Sequence, residues 1–460
     1  IMGSAAASGL AMMGVPSLSV AQQAGASAAA SPFQDLAAKL SGPVITPGHD
    51  RYDQEREVFN AMIDRRPAAI AKCSGAADVM DAVKYAREKS IPVTVRGGGH
   101  AVSGKAVRDG ALTIDLGRMH GIWVDPARKR AMVQGGVRLE GVDRETLAHG
   151  LVAPVGTVGK TGVGGLTLGG GLGWLMRKHG LTCDNLVSAD VVTADGRFLR
   201  ASGHENPDLF WAIRGGGGNF GVVTSFEFLL HEAEPIVGGM ALYPESMLRD
   251  MLEFYRDYTA SAPDSVTTYA GAMTGPPGTA VEGEVAGLIA VCHSGPVSEG
   301  ESVVKPIKDF GPPALDTIGP TTFQTIQSMF GDGSPNGTRH YWRSAFVPEF
   351  SDGAINTFVE RSKEMPHAAS LLLVEHMGGA VGRVGTNQSA FANRDAMYNL
   401  SLLGAWMDPA KDAKNIAWSR AVGDELRSFS SGGAYVNYMS DEDAAAVKGA
   451  YEANYQRLVD

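Results

Sequence analysis

Three runs of glycine, each set beside a segment that alternates like a β-strand, constrain this chain more than anything else in it. The first follows Ile91, Val93 and Val95, which alternate as in a short buried strand, and reads Arg96-Gly97-Gly98-Gly99-His100 before Ser103 and Gly104. The second fills Val152 to Gly173, with Gly156, Thr157 and Val158 ahead of Gly162, Gly164, Gly165, Gly169, Gly170, Gly171 and Gly173. The third, Arg214 to Gly221, runs straight into Val222 to Phe228. Without a Cβ, a glycine backbone adopts positive φ freely and brings its N–H groups close to a ligand, a geometry that suits a pyrophosphate. One such run is as well explained by a plain turn with a surface histidine; three beside strands are not.

The chain holds 59 glycines in 460 residues, well above the usual share of about 7%, and they cluster rather than spread. None of the runs fits GxxxxGK[ST], and none has the GxGxxG-into-helix context with a ribose-binding acid that a nicotinamide fold requires. So many glycines between Val152 and Gly173 argue against a helix there, since each interior glycine costs about 1 kcal/mol relative to alanine. A ligand cavity lined by backbone is the better account of that stretch.

Hydrophobic residues make up 44% and charged residues 20%, with a formal net charge of -10. This is the make-up of an ordinary globular chain long enough for two domains. An acidic chain without a basic run lacks what nucleic-acid binding needs. The three cysteines, Cys73, Cys183 and Cys292, show no CxxC spacing, and no histidine pair has metal-ligand spacing, so neither a disulfide framework nor a metal is predicted. The first 31 residues are rich in Ala, Gly and Ser, with an apolar patch from Leu10 to Val20 and small residues near Ala26 to Ala28. The segment is read as the remnant of an export signal or as a disordered tail. The first reading makes the protein secreted or periplasmic, the second cytoplasmic. The patch is too short and broken to span a bilayer.

Taken in order, the spacing predicts a helix over Ala76 to Lys89 with Ser74 as its N-cap, strands around Leu112 to Leu116 and Met132 to Val137, and a helix over Leu139 to Ala148. A hairpin follows, Val187 to Thr193 turning at Asp195-Gly196 into Phe198 to Ala201. Beyond Glu234, strands are predicted at Val281 to Val291, Ser370 to His376 and Tyr398 to Trp406. Helices are predicted at Ser246 to Ser261, Asp352 to Met365 and Ala410 to Ser428. Alternation reads Tyr435 to Tyr438 as a short strand with Tyr435 and Asn437 on one face.

Four motifs then stand in a telling order: RGGGHAVSG at 96–104, VGTVGKTGVGGLTLGGGLGWLMRKHGLTCDN at 155–185, NPDLFWAIRGGGGNFGVVTSFEF at 206–228 and GAYVNYMSDED at 433–443. Together, over about Arg65 to Asp443, they resemble the berberine bridge enzyme-like flavoprotein oxidases of the vanillyl-alcohol oxidase, or PCMH-type FAD-binding, superfamily. The resemblance implies an α+β fold: a two-subdomain PCMH-type FAD-binding domain over 35–232, and a substrate domain over 233–428 with an antiparallel sheet backed by helices. Residues 1–34 precede it, and 429–460 return to the FAD-binding domain. The chain stops before the family's usual Tyr-Asp-Pro segment and is read as truncated there.

The family bonds the histidine of the first motif to the 8α-methyl of FAD, which places that bond at His100. The position of the second, cysteinyl bond of many members falls on Val158, so a single link is implied. By the same resemblance, Arg96 to Gly99, Ser103 and Gly104 supply N–H donors to the pyrophosphate, and Gly162, Gly164, Gly165, Leu168, Gly169, Gly171 and Gly173 cover the adenine and ribitol. Thr161, Gly221, Val223, Tyr435 and Asn437 lie along the flavin. Cys183 reads as a small buried residue.

Relatives use the second tyrosine of YxNY as a base, here Tyr438 with Tyr435 beside it. A neighbouring cation would favour the phenolate, and His376, Arg394 and Arg343 are candidates by location. Some relatives carry a glutamate base on the strand that here reads Tyr398-Asn-Leu-Ser-Leu402, without an acid, which favours Tyr438. The implied activity is hydride removal from an alcohol carbon of a sugar or hydroxylated secondary metabolite, with dioxygen reoxidising the flavin to hydrogen peroxide. A dehydrogenase using another acceptor, since Thr161 stands at the oxygen-gating position, and a flavin-binding protein without turnover are the alternatives. Nothing in the sequence fixes an oligomeric state.

Overall fold

The computed structural model describes residues 32–331, 334–430, 432–440 and 444–460. The Leu10 to Ala28 segment and the end of the last motif, 441–443, lie outside the described residues. The architecture is α+β, with helices packed against three main sheets.

The first sheet has four strands in the order Val44–Ile45, Ala69–Lys72, Leu112–Asp115, Val93–Arg96. Leu112–Asp115 pairs in parallel with both Ala69–Lys72 and Val93–Arg96. Between Ala69–Lys72 and Val93–Arg96 the chain crosses over through the helix Ala76–Glu88, whose Val79, Ala82, Val83 and Ala86 pack on Ala71 and Ile114. Gly75 rather than Ser74 stands at the N-cap and no side chain caps the helix; instead the Asp78 carboxylate in its first turn accepts from the backbone N–H of Ser74 at 2.8 Å and of Ser41 at 2.9 Å, holding the chain that leads in. The strand that delivers the first glycine run is an edge strand. Val93 is 40% exposed and only Arg96 is buried, so its alternation does not mark a buried strand.

A five-stranded antiparallel sheet follows, in the order Ile122–Asp125, Arg130–Gln134, Val222–Leu229, Leu186–Val192, Phe198–Ser202. The expected hairpin closes at Gly196, at φ +79°, where Thr193 N–H donates to Arg197 O at 2.9 Å and Gly196 N–H donates to Thr193 O at 2.8 Å. Packed on this sheet, the helix Leu139–Leu147 buries Leu139 and Val142 against Val133 and Phe226.

The largest sheet is antiparallel, in the order Leu315–Asp316, Ile236–Pro244, Val285–Ser294, Val266–Thr274, Leu371–His376, Tyr398–Trp406, Arg339–Val347, with Gly319–Thr321 also paired to Ile236–Pro244. Helices Leu248–Thr259, Val297–Asp309, Asp352–Ser362 and Asp412–Arg427 cover one face, where Ile289, Val374, Leu400 and Leu402 meet Leu252, Ile355, Phe358 and Val422. Each such side chain contributes about 1.5–3 kcal/mol by leaving water. Because side chains alternate across a strand, burying Val374 and Leu400 on the helical side turns Glu375 and Asn399 to the other face. There Tyr269, Glu375, Asn399 and Phe346 stand in register across four strands.

Two expectations are corrected along the way. The strand expected from Val281 begins at Val285, because Val281 to Glu284 are drawn into a turn by the bonds Glu284 N–H to Val281 O and Gly275 N–H to Glu284 O. The last motif is not a strand: Val436–Tyr438 is one turn of 3-10 helix, closed by Tyr438 N–H to Tyr435 O.

Candidate active site

The second glycine run touches both of the others. Gly98 and Gly162 cross so tightly that a Cβ on Gly98 would stand 2.4 Å from Gly162 N, and one on Gly162 would stand 2.3 Å from Gly98 N. The third run is tied to the second by the N–H groups of Gly215 and Gly217, which both donate to Leu168 O at 3.0 and 2.9 Å. The last motif joins them: Gly171 N–H donates to the Tyr435 hydroxyl at 3.0 Å, Asn437 Nδ2 donates to Leu166 O at 3.2 Å, and Gly169 lies against the Asn437 amide. At these positions glycine makes room for the chain itself.

Against expectation, the second run contains a helix, Val163–Leu168. Its glycines lower its intrinsic propensity, but tertiary anchors outweigh them. Val163 N–H donates to Val137 O at 2.9 Å, Thr167 Oγ1 donates back to Val163 O at 2.7 Å, and Val163, Gly164, Thr167 and Leu168 are buried. Gly165 sits on the open side, with no atom within 4 Å of where its Cβ would be.

The first run fits a diphosphate. Among the described residues, no group accepts from the backbone N–H of Gly97, Gly98, Gly99, His100, Ala101, Val102 or Ser103, a continuous series of unspent donors. Gly104 is not one of them, because its N–H closes a turn onto Ala101 O at 2.9 Å. The Arg96 side chain is also spoken for: Nε donates to Asp115 Oδ2 at 2.5 Å and Nη1 to Glu55 O. Val158 and Thr161 form the turn beyond it, Thr161 N–H bonding Val158 O at 3.0 Å while Thr161 O takes Leu139 N–H at 3.0 Å. Gly221, at φ +144°, lies against Val192 O, and the Val223 side chain packs in the five-stranded core with Val191 and Phe226.

His100 ends the run. Its imidazole stacks on Phe59, ring centroids 4.3 Å apart, and Phe59 stacks on His340 at 4.2 Å. Burial, with the nearby positive charges of Arg138 and Lys160, lowers the His100 pKa to about 4. The ring is therefore neutral at neutral pH, with a lone pair on one nitrogen. Trp342 meets Phe59, His340 and Tyr438 edge-on, and so links the histidine to the tyrosine motif.

Tyr438 donates to Glu375 Oε1 at 3.0 Å. Glu375 is 2% exposed, and its Oε2 accepts from Asn399 Nδ2 and, at 3.1 Å, from Ser401 Oγ. Burial pushes the Glu375 carboxyl up to about 7, the hydrogen bonds from Asn399, Tyr438 and Ser401 only partly offsetting it. The Tyr438 phenol is raised well above 10, first by burial and then by Glu375. The three cations expected as candidates are engaged elsewhere. Arg394 makes a two-pronged pair with Asp184 at 2.7 Å, Arg343 bonds Asp424 at 3.1 Å, and His376 points to the helix side and meets Arg177 at 2.9 Å. The partner is an acid that sequence reasoning missed. The stretch Tyr398 to Leu402, where some relatives carry a glutamate, has none, and Glu375 stands directly across from Asn399 on Leu371–His376.

Tyr435 has a different place. It is 2% exposed, and its oxygen accepts from Gly171 N–H, from Leu172 N–H at 3.3 Å and from Asn437 Nδ2 at 2.9 Å, so it pins the glycine loop. Cys183 is fully buried beside Asp184, its thiol pushed up by burial. Two surface cavities, about 510 and 210 Å³, lie elsewhere; the first is lined by Pro244, Val281 and Pro313, the second by Leu147, Ile236 and Phe323. Among the described residues, no cluster of three or more His, Cys, Asp or Glu could hold a metal, and no helix is long and apolar enough to cross a membrane.

A run of open backbone amides, a neutral histidine at its end and a buried Tyr–Glu pair on the facing sheet fit a site for a diphosphate-bearing cofactor with proton-transfer groups opposite it. Comparison with known proteins narrows the class. Residues 67–202 match the FAD binding domain family. The FAD-linked oxidoreductase YgaK of Bacillus subtilis is 32% identical over 91% of this chain and 93% of its own. Glucooligosaccharide oxidase of Sarocladium strictum is 41% identical over 40% of this chain and 38% of its own. The crystal structure of 6-hydroxy-D-nicotine oxidase from Arthrobacter nicotinovorans superposes with a TM-score of 0.83 at 27% identity, covering 91% of this chain and 94% of that one. The chain belongs to the berberine bridge enzyme-like FAD-linked oxidoreductases and binds FAD.

Proposed function

We propose that this protein is an oxidase that removes hydride from an alcohol carbon of a sugar or hydroxylated secondary metabolite, with Tyr438 and Glu375 receiving the hydroxyl proton. The single observation that carries the reading is the 3.0 Å contact between the Tyr438 hydroxyl and Glu375. A lone phenol is a poor base near pH 7. A phenol that passes its own proton to a carboxylate while taking one from substrate never has to exist as free phenolate, and a carboxyl pushed up to about 7 is matched to that exchange. FAD supplies the hydride acceptor and, with dioxygen, the route to hydrogen peroxide.

The chain's own residues do the rest. The amides from Gly97 to Ser103 hold the diphosphate, His100 carries a single covalent link to the flavin, and Val158 leaves no second one. Tyr435 and Asn437 fix the Gly169 to Leu172 backbone that would help hold the flavin, and Trp342 stands beside Tyr438. In this reading 35–232 binds the cofactor, 233–428 carries the substrate face, and 429–460 returns to the cofactor side. The named substrates of relatives, an oligosaccharide and a hydroxylated nicotine, support a hydroxylated small molecule.

The test is anaerobic bleaching of the flavin absorbance by a panel of sugars and hydroxylated metabolites, followed by peroxide assay in air. Bleaching with peroxide release supports the oxidase. Bleaching without peroxide makes it a dehydrogenase with another acceptor, and no bleaching by any hydroxylated compound removes the alcohol-oxidising reading.

A further inference from the structure

The short segment Phe59-Asn60-Ala61 is built into two places at once. On one side Phe59 N–H donates to Gly99 O at 3.0 Å, and Asn60 Nδ2 donates to Val102 O at 2.7 Å, so the segment grips the loop on either side of His100. On the other it runs along the start of the strand Arg339–Val347. Asn60 Nδ2 also donates to His340 O at 2.9 Å, Asn60 Oδ1 accepts from His340 N–H at 2.9 Å, and Ala61 N–H donates to Thr338 O at 3.0 Å. Asn60 is 2% exposed with its amide fully engaged, which is how a buried polar side chain is retained. Between these anchors three rings lie nearly parallel: His100 on Phe59 at 16°, and Phe59 on His340 at 14°.

His340 itself is costly to keep. It is 1% exposed, and among the described residues neither ring nitrogen has a hydrogen-bond partner. An apolar residue of similar size would spare that desolvation. What the imidazole contributes in return is its flat face. Stacked aromatic faces attract beyond the area they bury, which favours one orientation of each ring.

We propose that Phe59, Asn60 and His340 form a clamp that fixes the ring of His100 for its attachment to the flavin, so that the large sheet governs covalent loading of a cofactor held by the other half of the chain. The inference rests on the covalent link at His100 proposed above. In that reaction an imidazole nitrogen of His100 bonds to the C8 methyl carbon. One hydrogen leaves the methyl and one leaves the imidazole, and the two electrons pass through the isoalloxazine to dioxygen, which departs as hydrogen peroxide. A nitrogen displaced by an ångström, or a ring turned edge-on, loses the attack geometry while FAD still binds through the amides of the first glycine run. Phe59 and His340 are positioning residues, since neither takes part in bond formation.

The test compares wild type with Phe59→Leu, His340→Leu and His340→Phe, each saturated with FAD. Total flavin is read by absorbance before denaturation, and attached flavin by fluorescence of the acid-precipitated pellet over a time course. Because the His340 ring makes no hydrogen bond among the described residues, His340→Leu strands no polar partner, and a thermal melt checks that it folds. The clamp predicts wild-type total flavin in all variants, at least tenfold slower attachment in Phe59→Leu and His340→Leu, and recovery in His340→Phe, which restores a flat ring. Attachment at the wild-type rate in both leucine variants overturns the clamp, as does an equally slow His340→Phe. A colourless wild-type pellet is a separate result: it overturns the covalent link at His100, and the clamp with it.

Discussion

The Tyr438 hydroxyl and the Glu375 carboxylate face each other at 3.0 Å, one on a 3-10 turn near the end of the chain and the other at the centre of the large sheet. The arrangement separates two tyrosines that sequence places side by side. Tyr438 shares its proton with an acid; Tyr435 only accepts, from Gly171 N–H, Leu172 N–H and Asn437 Nδ2.

That difference predicts opposite phenotypes. Tyr438→Phe should keep its flavin and fold, yet lose about 10²–10⁴-fold in the rate of anaerobic bleaching, the usual span for a missing general base. Tyr435→Phe leaves buried donors at Gly171 and Leu172 unsatisfied and should lower stability by about 1–3 kcal/mol, read by denaturant melts, with a smaller effect on bleaching.

The glycines also divide. Gly162→Ala drives a methyl into the backbone of Gly98, where the built Cβ stands 2.3 Å from Gly98 N, and should give little folded protein. Gly165→Ala meets no protein atom within 4 Å and gains helix propensity, so the apoprotein should be as stable as wild type or slightly more so. If its open side faces the cofactor, the same variant holds less flavin. Thermal melts of the apoprotein and flavin stoichiometry read the two effects separately.

Asp143, on the helix Leu139–Leu147, is 3% exposed; among the described residues neither carboxyl oxygen has a hydrogen bond of good geometry, and the neutral Gln327 amide beside it offsets only part of the burial. Burial pushes its pKa up to about 8. A carboxyl raised in the folded state is tolerated while protonated, so its favourable balance holds below the unfolded value near 4 and is lost as pH climbs toward 8. Asp143→Asn cannot ionise. Its stability relative to wild type should therefore increase from pH 5 to pH 9, and parallel pH curves would contradict the burial argument.

Much of this was legible in the sequence because it is written in local pattern. The helix Ala76–Glu88, the hairpin at Gly196 and the strand Tyr398–Trp406 follow from periodicity and turn residues, and the order of the four motifs carries the family. What stayed hidden depends on contacts between distant residues. The helix Val163–Leu168 forms because Val137 and the core hold glycines that would not be helical alone. Glu375 gave no signal beyond being an acid that follows four apolar residues in the strand Leu371–His376. Its pairing with Tyr438 exists only once Leu371–His376 lies beside Tyr398–Trp406 and the last motif folds over both. Alternation also misread the last motif, since three residues of 3-10 helix are too few to show a period.

The most direct measurement is the rate of anaerobic flavin bleaching against pH for wild type and Glu375→Gln, using a substrate found by the panel. Ionised Glu375 accepts the proton, so the wild-type rate should rise through about pH 7 and level off above it. Glu375→Gln should be slower by about 10²-fold or more and lose that rise. A glutamine variant that bleaches at the wild-type rate with the same pH profile would contradict the account.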